Sequence, residues 1–506
     1  MKYPTLRTCG LLVIGAALQS IAAGDQPNIL FIAVDDLKPT LSAYGSPVPT
    51  PQIDRIAERG TTFLNAHCQQ AVCGPSRASL LTGKRPDYTR VWDLKTRIRD
   101  IRPEIITLPQ HFKENGYHTV GVGKIFDPRS VDKGADEISW SERYTQTWHL
   151  KYHPSTGKPK AHYHNPLSKE LAKQAEAGGI KSWGAINKLL ADNDAWPVVE
   201  AEDLPDDAYD DGAIAAYAVA KLKKLADLEK PFFFAVGFKK PHLPFIAPKK
   251  YWDKFDRSTI KLASFQKQAL NSPDYAYHDF NELRSYSGIP GAGPLSEGLQ
   301  RELIHGYYAC TAYIDAQVGR LLDQLKKLKL ANNTVVVLWG DHGWHLGDHG
   351  LWCKHTNYEH ATRVPLIISA PGGRRGLQTG MPTELTDLFP TLCELAEIEI
   401  PADLDGVSLT PTLLEGDETT REFAVSQFPR GPQMGYALRS GRFRYVAWYK
   451  TGGTSTDGES APIATELFDY KLDPQETRNL SGTKQFSLVE ESLSAKLEDF
   501  LKRQHL

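Results

Sequence analysis

Beyond its first two dozen residues this chain of 506 has no long apolar run, and only six of its residues are cysteine. Without such a run no bilayer span is expected in the mature chain. The five cysteines after Cys9, at Cys68, Cys73, Cys310, Cys353 and Cys393, are odd in number. Their spacing matches neither a zinc site nor a dense disulfide framework. If Cys73 is the reactive one, the other four are left to pair or to stay as buried thiols. A charge excess is also missing: 59 lysines and arginines stand against 61 aspartates and glutamates, a net charge of -2. No general pull toward nucleic acid or an anionic membrane follows, so a polyanion needs a local basic pocket. There are no internal repeats and no low-complexity tracts. What remains, 41% hydrophobic and 24% charged residues, is ordinary for a soluble globular protein. The length suffices for one large domain and a smaller one.

The first residues are of another kind. Lys2 and Arg7 precede the run CGLLVIGAALQSIAA, which ends in small residues before Gly24-Asp25. This pattern predicts a cleavable secretory signal over 1–23, cut near Ala22 or Ala23, and hence a secreted or periplasmic protein. Cys9 lies on the wrong side of the run for a lipid anchor at the mature terminus.

Apolar runs at 28–34, 117–126, 231–238, 334–341 and 365–372 predict strands buried on both faces. Helical patterns fall between them, at 52–60, 107–115 and, longest, 295–329. Strands alternating with helices predict an α/β fold with a large, mixed but mostly parallel central sheet flanked by helices. The stretch 143–205, rich in aromatics, histidine and proline, has no clean period and reads as an excursion over the site. After about residue 415 the pattern changes to exposed antiparallel strands, a Gly/Ser/Thr turn at 451–460 and a terminal helix at 487–503. The expected organisation is a catalytic domain over 24–415 and a small α+β subdomain over 416–506.

Asp35-Asp36, Lys124 and Asp341-His342 each fall at the carboxyl end of a predicted strand, and His242 follows another by a few residues. Sites of open α/β sheets gather outside those ends, so these residues should converge on one rim. Cys73-Gly74-Pro75-Ser76-Arg77 opens a predicted helix, a setting that favours a bound anion and should lower the pKa of a nucleophile. Three carboxylates in one pocket repel unless a cation neutralises them. Their oxygen donors point to Ca²⁺ or Mg²⁺ rather than zinc. Arg77, Lys124, Lys240, His242, Lys354 and His355 would add a positive hole suited to a tetrahedral anion. His242, in KKPHLPF, could protonate a leaving alcohol. The histidines of GDHGWHLGDHGLWCKHTNYEH fall in or near a loop, not on a helix as the paired His-x-x-x-His ligands of a zinc site do. His349 and His360 read as structural, and His345 as a substrate-pocket residue.

With these parts in view, the sequence resembles the type I sulfatases of the alkaline-phosphatase-like superfamily. CGPSR followed by ASLLTG is similar to the signature Cys-x-Pro-Ser-Arg, whose cysteine that family converts to formylglycine. PNILFIAVDDLKPTLSAYG, GVGKIF, AVGFKKPHLPF, GDHGWHLGDHGLWCKH and LFDYKLDPQETRNL resemble the iduronate-2-sulfatase branch in particular. They do so in the same order over nearly the whole mature chain. The resemblance implies one Ca²⁺ per chain, held by Asp35, Asp36, Asp341 and His342 with the modified Cys73. It implies that one hydroxyl of the hydrated aldehyde attacks sulfur and releases the sugar alcohol, and that the second expels sulfate. Arg77 would steady the hydrate, Lys124 and Lys354 would bind sulfate oxygens, and His242 would be the general acid. The implied partners are a sulfated oligo- or polysaccharide, with a 2-O-sulfated uronate as target, and a formylglycine-generating or anaerobic sulfatase-maturating enzyme.

One departure stands beside the sulfate pocket. The branch resembles Gly-Lys-x-Phe-His there, whereas this chain has Asp127. Two rivals share the constellation. A phosphatase or phosphodiesterase of the same superfamily would more naturally carry serine or threonine at 73, and an inactive binder of sulfated glycan would not need every catalytic position. Asn332 and Asn479 open glycosylation triplets.

Overall fold

The apolar run at 28–34 forms a strand buried along its whole length, β1 (Asn28–Val34). The computed structural model describes residues 26–180, 182–450 and 461–504, so the predicted leader and the turn at 451–460 lie outside the described residues. Six more strands build the sheet around β1: β2 (Thr61–His67), β3 (His118–Gly123), β4 (Phe232–Phe238), β5 (Thr334–Gly340), β6 (Arg363–Ser369) and β7 (Leu377–Thr379). Their order is β7-β2-β6-β5-β1-β4-β3, with the short strand Thr383–Glu384 beside β2. β3, β4, β1 and β5 run parallel, and β6 runs antiparallel to both its neighbours. The predicted mixed, mostly parallel sheet is thus present. β2 and β7 were not anticipated, because Thr61, Thr62, Asn65 and His67 break up the apolar signal in a strand that tertiary packing nonetheless buries.

Side chains alternate across a strand, so β1 feeds two cores. Ile29, Phe31 and Ala33 pack with α2 (Cys73–Thr82) and α3 (Leu108–Glu114) on one face. Leu30, Ile32 and Val34 pack on the other with α1 (Pro51–Arg59), α6 (Asp210–Leu225) and α7 (Glu297–Lys327). Each fully buried side chain of this kind contributes about 1.5–3 kcal/mol of transfer free energy. The aperiodic stretch at 143–205 does contain helices, α4 (Pro166–Ala177) and α5 (Trp183–Asp192). They pack in a third core with Tyr163, Phe245 and Trp252.

The C-terminal strands β8 (Phe423–Arg430), β9 (Gln433–Ser440), β10 (Phe443–Lys450) and β11 (Ala464–Asp469) form an antiparallel meander. They are not exposed, contrary to the reading from sequence. Tyr436, Leu438, Tyr445 and Leu467 lie under Leu493, Leu497 and Leu501 of α8 (Ser487–Gln504). Ala437, Val446, Trp448 and Phe468 face Leu351 and Tyr358 of the catalytic part. Both faces are covered, one by α8 and the other by the segment that carries Leu351 and Tyr358. At the contact, a Cβ on Gly435 would sit 2.6 Å from Asn357 Nδ2, whose amide donates to the Gly435 carbonyl at 3.0 Å.

The five cysteines from Cys68 onward are all free and buried. Asn479 is buried, its amide donating to Thr465 and Asn271 carbonyls and accepting from Leu467 N. That leaves Asn332, which is exposed, as the accessible one of the two triplets. Among the described residues no helix is long and apolar enough to cross a membrane.

Candidate active site

At the carboxyl end of β1 the chain turns at Asp36, whose φ of 57° lies in the left-handed region. That turn breaks the alternation of a strand and brings the carboxylates of Asp35 and Asp36 to the same pocket. It is clamped from α7, where Tyr307 donates its hydroxyl to the Asp36 carbonyl at 2.7 Å and accepts from Lys38 N at 2.8 Å. The neighbouring tip, at the end of β5, supplies Asp341, which accepts from Asp36 N at 2.9 Å.

α2 enters this pocket nucleophile first. Cys73 is its opening residue, and Sγ lies 3.7 Å from Asp36 Oδ1 and 3.3 Å from His342 Nε2. All ten residues of α2 are buried, with Cys73 2% exposed. Ser76 donates its hydroxyl to the Asp341 carbonyl. Arg77 ties the two acidic tips together: Nε donates to Asp341 Oδ2 at 2.8 Å and Nη2 to Asp35 Oδ1 at 3.0 Å. Its Nη1 donates to the Ile125 carbonyl at 2.9 Å, and the guanidinium lies 5.4 Å from the Trp339 ring centre.

Lys124 reaches the pocket because two glycines let β3 and β4 close on each other. A Cβ on Gly237 would stand 2.1 Å from the Lys124 carbonyl oxygen, and one on Gly123 2.0 Å from that of Gly237. Lys124 Nζ donates to Asp35 Oδ2 at 2.6 Å. Lys354 Nζ donates to Asp36 Oδ2 at 3.1 Å, over the ring of Trp344. His242 presents Nε2 at 3.9 Å from Asp36 Oδ2, and its Nδ1 donates to the Leu243 carbonyl at 2.6 Å. Of the other basic residues, Lys240 donates to the carbonyls of His242 and Pro244 and so props this loop. His355 is half-buried, and its desolvation, with Lys354 nearby, holds its pKa well below the ordinary value.

Burial pushes the carboxyls of Asp35 and Asp36 toward the neutral form, yet the facing cations outweigh it. Lys124 and Arg77 hold Asp35 below the usual carboxylate range, and His242, Lys354 and His342 do the same for Asp36. Burial works against charge on Lys124 and Lys354 as well, and the same carboxylates raise both above an ordinary lysine. For Cys73 the expectation reverses. Burial, reinforced by Asp35, pushes the thiol well above its ordinary value despite the helix N-terminus and Lys124. As a thiol, residue 73 is a weak nucleophile here.

One donor atom from each of Asp36, Cys73, Asp341 and His342 lies within 4.8 Å of the others, and so does one from each of Asp35, Asp36, Cys73 and His242. A divalent ion held at about 2.3–2.6 Å needs donors no farther apart than about twice that distance, and carboxylate oxygen supplies half of each set. The residues therefore fit a hard cation. His342 fits as a ligand too: its Nδ1 donates to the Gly343 carbonyl at 2.9 Å, leaving Nε2 on the carboxylate side.

A cleft of about 380 Å³ opens from Asp35, Lys124 and His242. Its far wall is the 143–205 excursion, which contributes the exposed Trp148 and Trp183. Nine of the residues singled out from sequence thus meet: Asp35, Asp36, Cys73, Arg77, Lys124, His242, Asp341, His342 and Lys354. His345 does not join them. It is fully buried, hydrogen-bonded to Thr356 at 2.9 Å, and lies beside His349 and His360 rather than on the cleft wall. Sequence reasoning missed Glu282, which pairs with Lys354 at 2.9 Å and stands 3.5 Å from His242 Nε2. It lies in an aperiodic segment and carried no signal.

A family model described as Sulfatase matches residues 27–398, and one described as N-sulphoglucosamine sulphohydrolase, C-terminal, matches 347–503. The chain belongs to the sulfatase family. It is therefore a sulfuric ester hydrolase, and sulfatases generally use a metal ion and a formylglycine, for which the cluster at Cys73 has the donors. This sulfatase is 33% identical to iduronate 2-sulfatase of Mus musculus, over 94% of each chain. Its fold matches that of a 2-O GAG sulfatase with a TM-score of 0.67 at 23% identity, covering 95% of this chain and 93% of that one. It also matches a phosphonate monoester hydrolase of Agrobacterium radiobacter, with a TM-score of 0.70 at 24% identity over 95% and 96%. The fold alone thus does not choose between sulfur and phosphorus.

Proposed function

We propose that this sulfatase is a secreted or periplasmic, Ca²⁺-dependent enzyme that removes sulfate from a 2-O-sulfated uronate of a polysaccharide. The observation that carries the reading is the meeting of Cys73 with Asp36 and His342 at a pocket ringed by Arg77, Lys124 and Lys354. The likeness to iduronate 2-sulfatase over nearly the whole chain supports the uronate. Two exposed tryptophans on the cleft wall support a sugar ring, which stacks on such faces.

When present, a formylglycine hydrate at residue 73 supplies the nucleophilic oxygen, and a calcium ion draws charge from the sulfate oxygens. The protein's own groups do the rest. Arg77, locked by four hydrogen-bond acceptors, fixes the position of residue 73 relative to both acidic tips. Lys124 and Lys354, kept charged by Asp35 and Asp36, take the sulfate oxygens. His242, with Nδ1 committed to Leu243, keeps Nε2 for the proton passed to the leaving sugar oxygen. Glu282 holds Lys354 at 2.9 Å and stands 3.5 Å from the same Nε2.

The test is sulfate release from sulfated disaccharides after co-expression with a formylglycine-generating enzyme. Activity is expected with a 2-O-sulfated uronate, together with a mass loss of about 18 Da on the Cys73 peptide (thiol to carbonyl). Cys73→Ala should abolish release, and full activity in that variant would end the reading. The second reading, hydrolysis of phosphonate or phosphate esters, is favoured by the shared fold with the phosphonate hydrolase. It predicts faster turnover of a phosphonate monoester than of any sulfated sugar.

A further inference from the structure

Asp127, the departure noted in the sequence, does not present a bare carboxylate to the sulfate pocket. Its side chain is fully buried and is gripped by Arg129, with Nε donating to Oδ1 at 2.8 Å and Nη2 to Oδ2 at 2.7 Å. Arg129 N also donates to Oδ1, at 3.0 Å. Lys124 Nζ stands 3.9 Å from the same Oδ2. All three residues line the cleft, but the carboxylate is covered by the two cations: the Asp127 side chain is fully buried and that of Arg129 is 49% exposed.

A guanidinium has five N–H donors in a rigid plane and can accept two carboxylate forks on two of its edges. Asp127 takes the Nε–Nη2 edge. Nη1 has no hydrogen-bond partner among the described residues, so the Nη1–Nη2 edge is left for a ligand. The fork on Asp127 fixes the plane of the group before anything binds, which a lysine could not achieve. Because Lys124 and Arg129 share one oxygen, their cationic nitrogens can be no farther apart than the two contact lengths laid end to end. That is the scale of one sugar ring with its substituents.

We infer that Arg129, braced by Asp127, binds a second anionic group, a carboxylate or a second sulfate, on the sugar that carries the scissile sulfate. The inference rests on the sulfated-sugar reading above and adds to it the residue that recognises the rest of the ring. The Asp that replaces a histidine in this chain is then part of a specificity device rather than a loss of positive charge.

Two pairs of substrates test it. The first is a disaccharide ending in a 2-O-sulfated uronate and the same disaccharide with its carboxylate reduced to an alcohol. The second is glucosamine 2-N,6-O-disulfate and N-acetylglucosamine 6-O-sulfate. The formylglycine-bearing enzyme should prefer the doubly anionic member of one pair by about tenfold or more in kcat/KM, as a charge-assisted fork implies. The pair in which it does so names the anion. Arg129→Ala and Arg129→Gln should shrink that preference about tenfold, and Arg129→Lys should restore part of it. Equal losses on both members of each pair would make Arg129 a structural residue and overturn the inference. So would a preference that survives Arg129→Ala. Release of sulfate from none of the four sugars would instead overturn the sulfated-sugar reading, and this inference with it.

Discussion

The strand-tip cluster and the cluster between the catalytic and C-terminal sheets are made of the same kinds of residue at similar depth. In the second, Glu359 and Glu476 meet Arg439, Arg444 and Tyr470. Every carboxylate oxygen there has a donor: Arg439 covers both oxygens of Glu359, Arg444 and Tyr470 face Oε1 of Glu476, and Glu359 N caps its Oε2 at 3.2 Å. The set is closed by guanidiniums and has no opening. At the strand tips, by contrast, a left-handed turn forces two adjacent aspartates together, lysines supply much of the positive charge, and a thiol and a cleft lie alongside. A closed ionic cluster glues two sheets. One that holds a thiol and opens on a cleft does chemistry.

The largest expected contrast comes from cutting each cluster once. Arg444→Met leaves Glu476 buried without its guanidinium and should cost about 3–5 kcal/mol in urea unfolding. Activity per folded molecule should be kept. Asp36→Asn should do the opposite: sulfate release falls at least about a hundredfold, while the unfolding free energy moves by no more than about 1 kcal/mol. In that variant Lys354 and His242 keep Glu282, and His342 keeps Asp341 at 3.8 Å, so none of the three is left without a carboxylate. If both substitutions cost stability alike, the distinction between the clusters is wrong.

A smaller effect sharpens the comparison from the backbone. Gly237→Ala puts a methyl into the Lys124 main chain, and should cost about 1–3 kcal/mol and displace Lys124 from Asp35. KM for the sulfated substrate should rise more than in any alanine variant of the C-terminal sheet. The most gradual effect is a pH dependence beside the closed cluster. Burial pushes the pKa of His67, which feels Glu359 and Arg439, from 6.5 down to about 3. The unfolded chain takes up that proton below about pH 6.5 and the folded one does not. The contribution is complete above that pH and is lost as pH falls toward 3, by up to about 1.4 kcal/mol per unit. Urea midpoints measured from pH 7 to 4 should show a shallower slope in His67→Gln.

Much of the strand-tip cluster was legible in the sequence because its parts are local: an apolar run ending in Asp-Asp, another ending in Asp-His, a cysteine opening a helix. Strand ends converge by topology, so separation along the chain did not hide them. The closed cluster was not legible, since Glu359, Arg439 and Arg444 are ordinary surface types until two sheets meet. Glu282 escaped for the same reason. The exposed reading of the C-terminal strands failed because alternation was judged against one core, whereas Tyr436 and Ala437 serve two. The thiol of Cys73 was misjudged because a helix N-terminus is a short-range field, and full burial outweighs it. Asp127 was seen, but its partner two residues on was not.

The burial of α2 has one more consequence, for anything that would alter residue 73. Every residue of the CGPSR stretch is walled in by the finished fold. Under the function proposed above, a maturating enzyme would need that stretch before α2 closes, and a copy folded over an unaltered sulfur would keep it. The active fraction of a preparation would then be set before folding, and no treatment of the folded protein should raise it.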